Sequence, residues 1–131
     1  MAPCRPHIRL YYNEISFLLT ADIHYEAEYH LISNRTCFKS TVLKVAHHGS
    51  NTSSSTSFLT MVDPEIAVIS VGRDNRFNHP HPDTLERITG VVGTDRCYLT
   101  SLSGTVELIT DGTKLWLSTE KGLQNNSHPE Q

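Results

Sequence analysis

Three strand-length apolar runs constrain this chain more than anything else in it: "ISFLLT" at Ile15 to Thr20, "TVLKVA" at Thr41 to Ala46 and "EIAVISVG" at Glu65 to Gly72. Apart from Lys44 they lack the polar alternation of a strand with one face in water, so each calls for a sheet covered on both sides. Between them the pattern turns helical. Ile23, Ala27, His30 and Leu31 recur at helical spacing, with Asp22 placed to cap the first turn. "SSSTSFLTMV" offers Ser and Thr caps ahead of Phe58, Leu59 and Val62, and "PDTLERIT" puts Pro82 and Asp83 in a favourable first turn. Strand and helix alternating in this way predict a layered α/β fold with a sheet flanked by helices.

The flanks are all β. Ile8 to Tyr12 faces Ile15 to Thr20 across Asn13-Glu14, a hairpin pattern, and "RCYLTS", "GTVELITDG" and "TKLWLST" are short strands separated by turns at Ser103-Gly104 and Asp111-Gly112. These last strands are expected to cover or extend an edge of the sheet. A chain of 131 residues suits one domain, which at that size buries roughly two-thirds of its unfolded surface. The domain is expected over residues 1–118, with a flexible polar tail over 119–131.

Composition excludes more than it identifies. A net charge of -3 gives no overall field for sequence-independent nucleic-acid binding, although a local basic groove remains open. The longest apolar run, Ile15 to Leu19, falls far short of the roughly 20 residues a membrane helix needs. "MAPCRPHIRL" has no apolar core of a secretory signal, so a soluble, cytoplasmic location is the default expectation. Cys4, Cys37 and Cys97 are an odd number without Cys-x-x-Cys spacing, which fits neither a disulfide framework nor a zinc ribbon.

The polar groups with chemical capacity gather after the apolar runs. Asp22 follows the first, His47 and His48 the second, and Arg73, Asn75, Arg76, His79 and His81 the third. In open α/β sheets ligands collect beyond the carboxyl ends of the strands, so three consecutive strand ends point to one site. Asp and His suit Zn²⁺, Mn²⁺ or Fe, and an Asp can bridge two ions. Gly49 permits a sharp turn, after which Ser50 and Asn51 can hydrogen-bond an oxyanion or orient the imidazoles. Pro80 and Pro82 stiffen the backbone on either side of His81, and Arg73 and Arg76 are suited to a phosphate. Lys44 reads as a solvated or edge-facing lysine, and His7, His24, His30 and His128 carry no assigned role.

Taken together, "SFLLTAD", "VLKVAHHGSNTSSS", "IAVISVGRDNRFNHPHP" and "DTLERI" resemble, in order and spacing, the C-terminal part of the metallo-β-lactamase-like domain of ComEC-type DNA-internalisation competence proteins, over about Ile15 to Thr110. The resemblance implies half of an αββα sandwich with a mixed sheet. It also implies a parent chemistry of metal-dependent phosphodiester or DNA hydrolysis, a divalent Zn or Mn cofactor and a membrane-associated parent. Asp22 would be the bridging ligand, His47 or His48 would close the second metal site, and Asp22 with His48 would be catalytic. His79, His81, Arg73, Arg76, Ser50 and Asn75 would meet the substrate. Ala21 and Ala46 stand where the family usually has Gly, and the upstream His-x-His-x-Asp-His motif is absent, which implies an incomplete centre. An inactive module that associates with itself or a complementing chain through an open sheet edge is the alternative expectation.

Overall fold

The structure is a computed structural model describing residues 7–35 and 37–121. In chain order its elements are β1 (Ile8–Tyr12), β2 (Ile15–Leu19), α1 (Tyr25–Ser33), β3 (Val42–Lys44), a 3₁₀ turn (Ala46–Gly49), α2 (Thr56–Val62) and β4 (Ile66–Ile69). There follow α3 (Pro82–Val92), a second 3₁₀ turn (Thr94–Arg96), β5 (Cys97–Leu99), the single-turn α4 (Thr100–Ser103), β6 (Val106–Thr110) and β7 (Leu115–Thr119).

Strands β1 to β5 form one mixed sheet in sequential order, β1 antiparallel to β2 and the others parallel. The period-2 geometry of a strand splits the apolar runs between two cores. Leu18, Leu43, Ala67 and Ile69 face the helices, where they meet Ile23, Phe58, Leu59, Val62, Ile88 and Val92. Val42, Ile66, Val68 and Tyr98 face the other way, against Val106, Leu108, Leu115 and Leu117 of the antiparallel β6–β7 pair. Burying a side chain such as Phe58 or Leu59 in this way stabilises by about 1.5–3 kcal/mol. The fold is thus α/β, a mixed sheet between helices and a two-stranded cover, as the two-faced apolar runs require. Strand β5 extends the sheet while β6–β7 covers it, so the final strands do both of the things expected of them.

The elements are shorter than the runs that predict them, α1 starting at Tyr25 and β3 spanning only Val42–Lys44. Strand β4 ends at Ile69 and not Gly72, because Val71 leaves the sheet: its N–H donates to Thr100 Oγ1 at 2.9 Å and its carbonyl accepts from the same hydroxyl at 3.0 Å. Asp22 does not cap α1. His24 occupies the N-cap without a side-chain bond, and the exposed first-turn N–H of Tyr25 is satisfied by Thr52 O at 2.9 Å. The other helix signals match: Ser55 Oγ accepts from Phe58 N, and Pro82 opens α3. Beyond Thr119, Glu120 N donates to Thr105 O at 2.8 Å and Lys121 N to Ser103 O at 2.9 Å. The rest of the 119–131 segment, with His128, and Cys4 lie outside the described residues. Among the described residues no helix is long and apolar enough to cross a membrane.

Candidate functional site

Parallel strands β2, β3 and β4 end side by side, and hydrogen bonds lace the segments that leave them. Thr20 Oγ1 donates to Lys44 O at 2.6 Å, His47 N donates to Ala21 O at 2.8 Å, and Val45 N donates to Val68 O at 2.9 Å. The chain then coils left-handed: His47, His48 and Gly49 have φ of 52°, 55° and 84°, and Ala21 has 47°. For residues with a Cβ such conformations cost on the order of 1–3 kcal/mol each and persist where surroundings enforce them, often at functional sites. Gly49 has a second reason to be glycine. A Cβ there would stand 2.6 Å from Pro80 Cβ and 3.0 Å from Pro80 Cα, because the loop after β4 closes directly over the turn, with His81 N donating to Gly49 O at 2.9 Å.

That closure brings imidazoles together. The His47 ring lies 5.0 Å from His24 and 5.8 Å from His79, centroid to centroid, both edge-on, and 6.5 Å from His48. His47 Nδ1 is buried with no hydrogen-bond partner among the described residues, a position of the kind that protein interiors rarely leave. His48 is exposed, and its Nδ1 sits 2.6 Å from Ser70 O; since a carbonyl can only accept, Nδ1 is the donor of this bond. Partial burial, reinforced by the positive potential of His47, His48 and His81, holds His79 below the usual imidazole range, so His79 is neutral at physiological pH.

Several of the expected contact residues have work inside the protein. Asn75 uses its whole amide to brace its loop: Nδ2 donates to Gly72 O (3.1 Å) and His79 O (2.8 Å), and Oδ1 accepts from Phe77 N (3.1 Å) and His79 N (2.9 Å). His81 Nδ1 accepts from Asp83 N at 3.2 Å, capping α3. Ser50 is buried and its hydroxyl pairs with Thr52 Oγ1 at 2.9 Å. Arg73 and Arg76 are exposed in the same loop. Asp22 is exposed beside Ala21, the residue whose carbonyl holds His47.

The serine-rich segment after the histidines is held from α1 by a buried carboxylate. Glu28 is 1% exposed and accepts from the N–H groups of Ser54 and Ser55, while Arg87 donates to Ser54 O at 2.9 Å and Ser53 O at 3.3 Å. Sequence reasoning missed Glu28 and His24. His24 Nδ1 lies 2.9 Å from Thr52 Oγ1, which fixes the ring that packs on His47; its place two residues after Asp22, at a strand end, was the available signal.

A metal ion makes its own demands on this donor set. The orphaned His47 Nδ1 suits one, but among the described residues no three His, Cys, Asp or Glu side chains converge closely enough to hold an ion. A four-coordinate centre built on Asp22, His47 and His48 would take further donors.

A stretch of 72 residues, 55% of the chain, is 39% identical to ComE operon protein 3 of Bacillus subtilis. Another of 73 residues (56%) is 47% identical to Recombination protein 2 of Haemophilus influenzae, and one of 74 residues (56%) is 40% identical to Competence protein ComA of Neisseria gonorrhoeae. Over about half its length the chain is thus similar to proteins named for competence, for recombination and for a ComE operon. It matches 9%, 9% and 11% of the length of these three relatives, so it corresponds to about a tenth of each. No protein-family model and no solved structure matches it.

Proposed function

We propose that this chain is a metallo-β-lactamase-like module of a DNA-uptake protein, one that binds a phosphodiester and supplies part of a metal-dependent hydrolytic centre. The carrying observation is the cluster of His24, His47 and His79 beyond three parallel strand ends, with Phe77 stacked on His79 and the Arg76 guanidinium beside Phe77. The names of the relatives support the setting, DNA taken up by competent cells. In this reading Asp22, His47 and His48 are the chain's contribution to positions for Zn²⁺ or Mn²⁺, and another segment or polypeptide provides the remaining donors. No reaction step is assigned to an ion held by this chain alone.

Its own residues bind and orient. Arg73 and Arg76 offer planar guanidinium donors that suit phosphate oxygens. His79, which partial burial holds below the usual imidazole range, can donate to a substrate oxygen without adding charge. The test is hydrolysis of bis-p-nitrophenyl phosphate and DNA by the purified chain with Mn²⁺ or Zn²⁺, alongside metal titration by calorimetry. The expected result is no turnover at ordinary enzyme rates, with residual metal affinity lost in Asp22→Ala and in the double variant His47→Ala/His48→Ala. Full turnover by the chain alone would overturn the incomplete centre.

A second reading rests on β1. This edge strand is exposed along its length, with Ile8, Leu10, Tyr11 and Tyr12 all in solvent, and unpaired edges invite association. In this reading the module is inactive and pairs with itself or a partner through β1. A clean monomer on size-exclusion chromatography across a concentration series would remove the self-association.

A further inference from the structure

The loop between β4 and α3 displays one aromatic ring. Phe77 is 70% exposed, whereas Phe38 and Phe58 are buried and Phe17 half-buried. A single exposed apolar side chain is ordinary on a protein surface. Phe77 differs in how it is held. Its N–H is pinned by Asn75 Oδ1, its ring stacks on His79 with centroids 5.7 Å apart and planes inclined by 27°, and the Arg76 guanidinium lies 5.7 Å from its centroid. His79 in turn contacts His47. Guanidinium, phenyl and imidazole thus form one continuous π surface running from the rim into the histidine cluster.

We propose that Phe77, backed by His79 and Arg76, is a stacking platform for an unpaired base of single-stranded nucleic acid whose phosphate lies at the adjacent histidines. The proposal rests on the phosphodiester reading above and narrows its substrate. A ring face offered to solvent recognises another π face, and in a duplex those faces are already covered by neighbouring base pairs. Stacking on aromatic and Arg side chains within a basic groove is how proteins hold single strands without sequence preference. Charge agrees locally: the loop carries Arg73 and Arg76 against Asp74, positive in a chain whose net charge is -3. A small phosphodiester would need no such extension beyond the phosphate contacts.

The test is fluorescence anisotropy of the full chain in EDTA with a labelled oligothymidylate of about 12 nucleotides, within the range of single-strand site sizes. An abasic oligomer of equal length and a duplex serve as comparisons, and circular dichroism confirms that each variant is folded. Expected are binding of the thymidylate, weaker binding of the duplex and abasic strand, and a loss of roughly 5- to 150-fold in Phe77→Ala, the range that about 1–3 kcal/mol per stacked base implies. Phe77→Trp should retain binding and show quenched indole emission, and Phe77→Ala should leave abasic binding unchanged. Thymidylate binding unaffected by Phe77→Ala, or equalled by the abasic strand, would overturn the platform while leaving phosphodiester recognition in place. No binding of any oligomer would overturn both.

Discussion

Removing the Glu28 carboxylate should loosen the segment behind the histidines more than any surface substitution. Glu28→Ala leaves the N–H groups of Ser54 and Ser55 without their acceptor, and Ser54 is 2% exposed. Each buried donor left unsatisfied costs about 1–3 kcal/mol, roughly 2–6 kcal/mol for the pair. Part of this is offset, since burial holds the Glu28 carboxyl above the ordinary carboxylate range, a sign that its charge is expensive to keep inside. A net loss of about 2–4 kcal/mol is expected, a large part of a domain stability of order 5–15 kcal/mol. Urea unfolding followed by circular dichroism measures it, and amide exchange at Ser54 and Ser55 should accelerate in parallel. Glu28→Gln keeps one acceptor and should lose about half as much. The pH dependence has a definite sign. With the folded pKa raised above the unfolded value, the native state holds the proton more tightly, so the stability of wild type relative to Glu28→Gln is lowest above the folded pKa. It rises as pH falls toward the ordinary value of 4.5 and is complete below it. A loss under about 0.5 kcal/mol in Glu28→Ala, with unchanged exchange, would refute the assignment of Glu28 as the anchor of this segment.

Three further outcomes follow from particular contacts. Gly49→Ala must adopt a φ of 84° and meet Pro80 at 2.6 Å, so a thermal melt should show a loss of about 2–4 kcal/mol from left-handed strain and overpacking combined. Asn75→Ala removes four loop hydrogen bonds; it should cost only about 1–2 kcal/mol in urea unfolding yet weaken oligothymidylate binding, with Asn75→Asp, which keeps both acceptor bonds, recovering part of it. Burial pushes the Cys97 thiol up to about 12, while Cys37 is exposed. A thiol-reactive reagent at pH 8, read by peptide mass spectrometry, should therefore label Cys37 rapidly and Cys97 only on unfolding.

What could be read from the chain was whatever short-range pattern controls. Runs apolar on both faces gave β2, β3 and β4, Ser55 and Pro82 gave the starts of α2 and α3, and the strand-end argument gathered His47, His48 and the loop through His81. Long-range contacts decide the rest. Nothing local marks His47 and His48 for left-handed backbone. That conformation is held by the Ala21 carbonyl after β2, the Ser70 carbonyl after β4 and Pro80 pressed against Gly49, partners 22 to 31 residues distant by number. Likewise, Ser50 and Asn75 read as donors for a substrate because their types suit that task, whereas the fold uses their polar groups to hold its own loops.

Glu26 and Glu28 make the distinction sharpest. They are the same residue type, two positions apart in "YEAEYH", yet Glu26 is in solvent and Glu28 is fully buried. Composition cannot separate them, but helical geometry can. Residues three and four apart share a face, and Glu28 stands three before Leu31 and four before Ile32, both packed against the core. Glu26 stands four before the exposed His30. A carboxylate on the apolar stripe of a short helix must find donors where that stripe docks. Here the docking surface is the backbone just beyond His47-His48-Gly49, so the helix face that looks least suited to burial is the one that fixes the position of the site.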